Sequence, residues 1–252
     1  MYDLQKASWW KRFSAFLFDA IILATLAVGL AALLSLVFGY DSQLATYAEL
    51  KNEYSEKYGI ELDISQEKFD KLSADERAKY DEANEEWVND LRVAYTYTML
   101  VNLSLVIVSM ALLIAFLALE LTVPLFLRNG QTLGKKIFGV AVMQTTGVRV
   151  KGVSMFVRTV LGKFAVETMI PVYVTITVLF GNANLVGLAA AAAVLLTNLI
   201  MPLATKTRVA LHDGLASTVT VDFASQMIFD SEEALIEYKK RLAAQRAENS
   251  EY

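Results

Sequence analysis

Cysteine is absent from the 252-residue sequence, and histidine occurs once, as His212. These absences exclude disulfide bonds, thiolate catalysis and any site that needs two imidazole groups. Long runs without charge are abundant instead: Ala20–Tyr40 (21 residues), Val93–Leu119 (27 residues) and Thr168–Thr205 (38 residues). About 20 apolar residues cross a bilayer core. With 55% hydrophobic residues, the chain is predicted to be a polytopic membrane protein, and the composition argues against a soluble enzyme or a disordered chain.

The apolar runs predict four membrane-spanning helices. Asp19 and the length of the first run distinguish it from a cleaved signal peptide. The 38-residue run would form a helix roughly 57 Å long, so turn residues at 180–184 are predicted to divide it. The predicted spans are about 13–38, within 93–127, 164–180 and 185–204. A protein with three spans is the alternative.

The segments between the spans carry opposite charges. Segment 128–163 has seven basic residues and no acid, whereas segment 41–92 has 15 acidic and seven basic residues. The positive-inside rule therefore places the basic segment and both termini in the cytoplasm and segment 41–92 outside. Three spans would put Lys206 and Arg208 outside, against that rule. The basic loop is expected to bind anionic lipid headgroups, and no nucleic-acid-binding module is recognisable.

The predicted fold class is an all-α polytopic membrane protein with an extracytoplasmic helical insertion and a small cytoplasmic β-hairpin or three-stranded sheet. Strand-like alternation occurs at 139–143, 148–150 and 218–221. Residues 154–163 are typical of an interfacial helix. Residues 73–76 fit a capping box that opens a long helix continuing into the second span.

The chain is accordingly divided into seven predicted segments. They are 1–40 (N-terminus and first span), 41–92 (acidic insertion), 93–127 (second span), 128–163 (basic loop with hairpin and interfacial helix), 164–205 (third and fourth spans), 206–229 (His-Asp segment and strand) and 230–252 (C-terminal amphipathic helix).

The run Gly130-Gln131-Thr132-Leu133-Gly134-Lys135-Lys136 superficially resembles a phosphate-binding loop. Only three residues separate its glycines, and Lys136 stands where a serine or threonine would hold Mg²⁺. His212-Asp213 has no second imidazole or thiolate to complete a metal site, and no Gly-x-Ser-x-Gly nucleophile element occurs. The sequence therefore predicts no enzyme activity, no metal and no cofactor.

Asp19 and Glu120 lie inside predicted spans, where a central carboxylate costs roughly 2.5–3.5 kcal/mol. One interpretation is that these acids pair with basic groups and lock the cytoplasmic half of the helix bundle. The other is that one or more of them binds a cation or a proton on a transport path. The further charged residues near the cytoplasmic side are Arg12, Lys135, Lys136, Arg158, Lys163 and Glu167.

Proline and asparagine also occur at membrane depth. Pro124, Pro171 and Pro202 are interpreted as helix kinks, with freed carbonyl groups as the alternative. Asn102 and Asn198 are predicted to form hydrogen bonds between helices.

These residues resemble the RDD family of bacterial membrane proteins, which is named after one Arg and two Asp. Arg12 and Asp19 look like the first pair, and Asp213, within Leu211–Val219, looks like the second Asp. The Gly130–Lys136 run and the following Val-rich segment also match. The likeness covers 9–40 and 95–222, so segment 41–92 looks like an insertion and the tail beyond 222 lies outside it.

The resemblance implies a multi-pass protein of the bacterial cytoplasmic membrane. The family has been linked to transport of unknown ligands, and some members to cation/proton exchange. Asp19 and Glu120 would then bind the ion, while Arg12 and Asp213 would form a cytoplasmic gate in which Arg12 meets Asp213 or Glu120. Four helices make a thin path, so a homodimer is expected. The alternative function is a non-transporting scaffold or accessory subunit, with an unknown protein partner bound through the insertion and the C-terminal helix.

Overall fold

The computed structural model describes residues 4–127, 129–179, 181 and 184–248. The protein is mostly helical, at 75%, and the prediction of four long apolar helices is confirmed. In chain order the elements are α1 (Trp9–Val37), α2 (Tyr40–Tyr58), α3 (Gln66–Asp70), α4 (Ala74–Asn89), α5 (Leu91–Phe126), α6 (Leu133–Ile137), β1 (Val140–Gln144), α7 (Gly152–Leu179), α8 (Leu185–Ala204), α9 (Leu211–Leu215), β2 (Thr218–Asp222) and α10 (Glu232–Glu248). The helices that could cross a membrane are α1, α5, α7 and α8.

Helices α5 and α7 each contain a π-helical segment, at Leu117–Thr122 and Val157–Met169 respectively. Residues 154–163, predicted as a separate interfacial helix, are instead part of the first half of α7. The physical reason is that the charged groups of this stretch, Arg158 and Lys163, both find acidic partners inside the fold. π-helical segments occur frequently at functional sites, and each of these two contains charged side chains.

The turn predicted between the third and fourth long helices is present where the structure describes it. Gly181 has a positive φ of 71°, a conformation that suits glycine. The Asn184 side chain accepts a hydrogen bond of 2.6 Å from the Gly187 N–H and caps α8. The residues of this turn and of the basic loop that lie outside the described part of the chain are Phe180, Asn182, Ala183 and Arg128.

The chain forms two compact units, one made of residues 25–114 and the other of residues 1–24 and 115–252. The unit of residues 25–114 contains α2, α3 and α4. Its interior is aromatic: the Trp87 ring lies 5.4 Å from the Tyr47 ring and 5.5 Å from the Tyr54 ring, measured between centroids. Such pairs contribute beyond the area they bury, so the acidic insertion has a core of its own.

Helix α4 begins with the predicted capping box, in which the Ser73 side chain accepts from the Glu76 N–H and the Glu76 side chain accepts from the Ser73 N–H. The prediction that this helix continues into the second span is wrong, since α4 ends at Asn89. Asp90 is extended and interrupts it, because its carboxylate accepts the Arg92 N–H at 2.7 Å and the Tyr54 hydroxyl at 3.0 Å. An aspartate at such a position favours a new helix start over continuation.

The small sheet belongs to the other unit and corrects the predicted hairpin or three-stranded sheet. Strands β1 and β2 pair antiparallel, with Val140 opposite Asp222 and Gln144 opposite Thr218. Residues 148–150, predicted as the return strand of a hairpin, make only isolated bridges, one of them between Met143 and Arg149. Burial explains this pairing: β1 and β2 together close a fully apolar cluster, formed by Ala141, Met143, Val209, Val219 and Val221.

Candidate functional site

Asp19, on α1, is held by the segment that leads into α6. The Thr132 hydroxyl donates to Asp19 Oδ2, and the Gly134 N–H donates to Asp19 Oδ1 at 2.7 Å. Thr132 also caps α6 by accepting from the Lys135 N–H. A Cβ at Gly134 would lie 2.4 Å from the Ala15 carbonyl oxygen. Glycine is therefore required for this close approach.

The residues before Thr132 fix the same segment against β1. The Gln131 side chain donates to the Val140 carbonyl at 2.8 Å and is buried. Gly130 has a φ of 60°, and a Cβ there would lie 2.9 Å from the Val142 Cβ. The run that superficially resembles a phosphate loop thus docks the basic loop onto both α1 and the sheet.

Glu120, in the π-helical part of α5, forms an ion pair with α7. Lys163 Nζ donates to Glu120 Oε2 at 2.7 Å. The Glu120 carbonyl accepts the buried Thr159 hydroxyl at 3.0 Å. Pro124, four residues later, has no N–H to offer this carbonyl, and the Thr159 hydroxyl donates to it from α7.

A second ion pair, Arg158 with Asp213, is almost completely removed from solvent, with both residues 2% exposed. Arg158 Nε donates to Asp213 Oδ1 at 2.8 Å. The hydroxyl groups of Thr218 and Thr220, on β2, donate to the two carboxylate oxygens at 2.9 and 3.2 Å. Burial alone would raise the pKa of Asp213, but the charge of Arg158, together with the other charge and the hydrogen bonds around the carboxylate, outweighs burial and holds that pKa well below its usual range. The pair joins α7, α9 and the sheet.

His212 lies beside this pair and connects it to Glu167. Its backbone N–H donates to Glu167 Oε1 at 2.8 Å, and its Nδ1 lies 2.9 Å from the same oxygen. Arg158 donates to Nε2 at 3.2 Å. Because Nε2 must accept, the neutral ring carries its proton on Nδ1, facing Glu167. A Cβ at Gly162 would lie 2.7 Å from the His212 Cβ, so α7 and α9 approach each other closely at this point.

Acidification is expected to destabilise the protein through His212. Burial, reinforced by the charge of Arg158, lowers the pKa of His212 below 6.5, although Glu167 and Asp213 act to raise it. The unfolded chain therefore takes up a proton below about pH 6.5 while the folded chain does not. Stability should fall there by at most about 1.4 kcal/mol per pH unit.

The measurement is the melting temperature in detergent between pH 7.5 and 5.5. His212→Gln is the comparison, because its amide can donate to Glu167 and accept from Arg158 without titrating. The decrease in Tm should be smaller in the variant than in the wild type. Equal decreases in Tm would show that protonation of His212 does not cause the loss of stability between pH 7.5 and 5.5.

A cavity of about 200 Å³ lies beside these groups. Asp19, Glu120, Lys163 and Glu167 line it, together with apolar side chains such as Phe16. Within the described residues no three His, Cys, Asp or Glu side chains are placed to hold a metal ion. The cavity therefore combines apolar walls with three carboxylates and one ammonium group.

The model of the RDD family matches residues 6–217, which is the bulk of the chain. The chain belongs to the RDD family. No curated protein and no solved structure matches it. Membership and the four long apolar helices together identify an RDD-family membrane protein.

The Arg and the two Asp that match the name of the RDD family do not form one cluster of direct ion pairs. Arg12 donates to the carbonyl groups of Arg208 and Thr220, at 2.8 and 2.6 Å. It is linked to Asp213 through Thr220, whose hydroxyl donates to that carboxylate. Asp19 is engaged elsewhere, by the loop before α6. The expected contact of Arg12 with Asp213 is thus indirect.

Other predicted site residues of this RDD-family protein are placed less centrally. Lys136 and Asn102 are exposed. Asn198 accepts the Leu211 N–H at 3.2 Å and so fixes the start of α9. Pro171 lies just after the π-helical part of α7, and Pro202 lies inside α8.

The partners that complete these contacts were not predicted from the sequence. Thr132, Thr159, Thr218 and Thr220 all bond to the predicted charged groups, but threonine is common in both strands and spans. The one signal was for Thr132, since it stands inside the motif between two glycines. Asp222 was also missed; the hydrogen bond from Lys11 is the main cause that lowers its pKa.

Proposed function

We propose that this protein is a small transporter that exchanges a monovalent cation for a proton across the bacterial cytoplasmic membrane. The cavity beside α1, α5 and α7 carries this proposal. Three carboxylates, Asp19, Glu120 and Glu167, line it against one ammonium group, Lys163. Ionisable groups among apolar helices are costly and mark ion or proton pathways in many membrane proteins.

The partners of these carboxylates support an ion-binding role over a purely structural one. Among the described residues, Glu120 is the one of the three that pairs directly with a lysine or arginine. Asp19 is held by a hydroxyl and an amide, and Glu167 by a histidine whose pKa is lowered. Neutral donors orient a carboxylate but leave its charge uncompensated. A cation entering the cavity would supply that missing charge.

The orientation proposed is the one that the basic loop favours. Both termini and residues 128–163 would face the cytoplasm, with anionic lipid headgroups bound to that loop. The acidic insertion would then lie outside. Four helices enclose little space for a path, so a homodimer is the proposed assembly.

The test is flux in proteoliposomes under an imposed pH gradient, with a trapped pH dye and additions of Na⁺, K⁺ or Li⁺. Glu120→Gln and Asp19→Asn are expected to reduce exchange by more than about tenfold, since each removes a charge from the cavity. Glu232→Gln is the matched control, because Glu232 is an exposed acid in α10. Elution as a single symmetric peak confirms that each variant is folded.

Full flux in both Glu120→Gln and Asp19→Asn would refute the proposal. So would a wild-type protein that responds to none of the three cations at any gradient. Loss in the two cavity variants alone, with wild-type flux in Glu232→Gln, would support it.

A scaffold function is the second candidate, and the core of the insertion favours it. Residues 40–89 do not form a solvated spacer, because Trp87 packs between Tyr47 and Tyr54 and a capping box orders α4. A folded insertion can present a defined binding surface. Crosslinking in native membranes, followed by purification of the full chain, should then recover a partner in stoichiometric amount. A chain recovered alone would count against this role.

A further inference from the structure

Lys135 carries the buried ammonium group that the contacts described above leave unused. Its side chain is only partly buried, but Nζ is inaccessible to solvent and has no hydrogen-bond partner. It follows Gly134, whose packing against α1 holds this turn of α6 in place. An amine in this position has lost its hydration without gaining a partner, which disfavours its charged form.

Charged groups from three helices surround this amine. Glu120 on α5 and Asp19 on α1 favour its protonated form, whereas Lys163 and Arg158 on α7 oppose it. Burial, the largest cause, together with these opposing charges lowers the pKa of Lys135 to about 7. A lysine in water stays protonated until about pH 10.4. Lys135 can therefore gain and lose its proton under physiological conditions.

The same two carboxylates, Glu120 and Asp19, line the cavity proposed to take the cation. A cation in the cavity and a proton on Lys135 would both be stabilised by those carboxylates and would repel each other in a region of low dielectric constant. Lys163 differs from Lys135 because its ammonium group is already bonded to Glu120. The free amine is thus the group that can respond to the occupancy of the cavity.

We propose that Lys135 is the proton-binding group that couples proton release to cation entry, so that its protonated state and the cation-loaded cavity exclude each other. The inference rests on the proposed exchange function. When a cation enters, Lys135 releases one proton to water and becomes a neutral amine. When the cation leaves, the amine takes up a proton again. Charge in the site is conserved over the cycle.

The first experiment compares Lys135→Met with Lys136→Met in the same proteoliposome assay, at several pH values. Methionine removes the amine without leaving a buried polar atom, and Lys136 is the exposed neighbour in the same helix. In the wild type and in Lys136→Met, the cation concentration for half-maximal rate should rise about tenfold for each pH unit below 7. In Lys135→Met, that concentration should not depend on pH, and cation entry should release no proton.

The second experiment titrates the wild-type protein directly. Lysine labelled with ¹³C at Cε is observed by NMR in detergent micelles, and Lys135→Arg identifies the signal that disappears. A midpoint near pH 7 that moves down when Na⁺, K⁺ or Li⁺ is added is expected. A midpoint near the ordinary lysine value would overturn the inference even if Lys135→Met failed to fold.

The outcomes separate the two proposals. If the wild type exchanges cations and Lys135→Met keeps the same pH dependence and proton release, the role of Lys135 is wrong and the exchange function stands. If the wild type moves no cation, both are wrong. Loss of pH dependence in Lys135→Met alone would support both.

Discussion

Methionine in place of Arg158 is expected to lower the free energy of unfolding by about 3–5 kcal/mol. Arg158 and Asp213 are each 2% exposed and joined by a 2.8 Å hydrogen bond. The substitution fills much of the same volume but leaves the Asp213 carboxylate buried without a counter-ion. The carboxylate then keeps only the hydroxyl donors of Thr218 and Thr220. The loss is measured as a shift in the unfolding midpoint in detergent.

Lys151→Met is the matched control for this prediction. Lys151 pairs with Glu232 at 3.4 Å, but their side chains are 64% and 60% exposed. Removing an exposed pair should change stability by less than about 1 kcal/mol. Combining Arg158→Met with Asp213→Asn should restore part of the lost stability, because the buried charge is then also gone. If Arg158→Met were no more harmful than Lys151→Met, this pair would not hold α7 to α9 and the sheet.

The features that the sequence analysis predicted correctly are those set by neighbouring residues. Uncharged runs are long enough to identify the four apolar helices. The capping box at Ser73 and Glu76 and the turn at Asn184 follow from side chains within three residues of each other. The helix predicted to run from residue 73 into the second span is interrupted at Asp90. A hydroxyl from a residue distant in sequence, Tyr54, helps to hold the Asp90 carboxylate there, and neighbouring residues do not reveal that contact.

The choice of partners among the charged groups could not be predicted, because it depends on which elements pack together. From the sequence alone, Asp213 and Glu120 could each form an ion pair with any of three basic residues, Arg12, Arg158 and Lys163. In the fold, α9 lies against the π-helical part of α7, and Arg158 reaches Asp213. Arg12 instead meets backbone carbonyl groups. A charge pattern thus identifies the members of a buried network but not its pairs.

The pairing of the strands was mispredicted for a related reason. Residues 139–150 satisfy the local pattern of a hairpin, and Thr145–Gly147 do form a turn. Val219 and Val221 nevertheless offer β1 two side chains with no exposed surface, whereas Val148 alone is buried among residues 148–150. Burial of a shared apolar face outweighs the short loop of a hairpin, and only tertiary structure reveals which face is shared.

The contacts of the two acids in the apolar helices, Asp19 and Glu120, combine features of both interpretations. Both oxygens of Asp19 accept hydrogen bonds from the segment that leads into α6, and these neutral donors anchor α1 but leave the negative charge of the carboxylate unpaired. Glu120 has Lys163 as a partner and Lys135 as a further charged neighbour. Both acids thus hold helices and loops together, and under the proposed exchange function both also line the cation site.

Alanine at Gly134 is expected to lower the free energy of unfolding by about 1–3 kcal/mol. In an open helical position the same change would stabilise the helix by roughly 0.8–1.0 kcal/mol. Here the new methyl group would lie 2.4 Å from the Ala15 carbonyl oxygen and 2.9 Å from the Asp19 carboxylate. Backbone atoms of α1 cannot move aside without separating α1 from α6. The sign of the effect is therefore diagnostic of that contact.

Gly152→Ala is the control for this last prediction, since a Cβ there meets only a Leu125 methyl group, at 3.9 Å. It should be neutral or slightly stabilising when both variants are melted in the same detergent. Separation of α6 from α1 would also expose Lys135, and the pKa of its amine should then rise from about 7 towards the ordinary lysine value. If Gly134→Ala had the same Tm as Gly152→Ala and left the pKa of Lys135 unchanged, the docking of α6 on α1 would be wrong. A lower Tm together with a raised pKa would link the stability of this contact to the titration of Lys135.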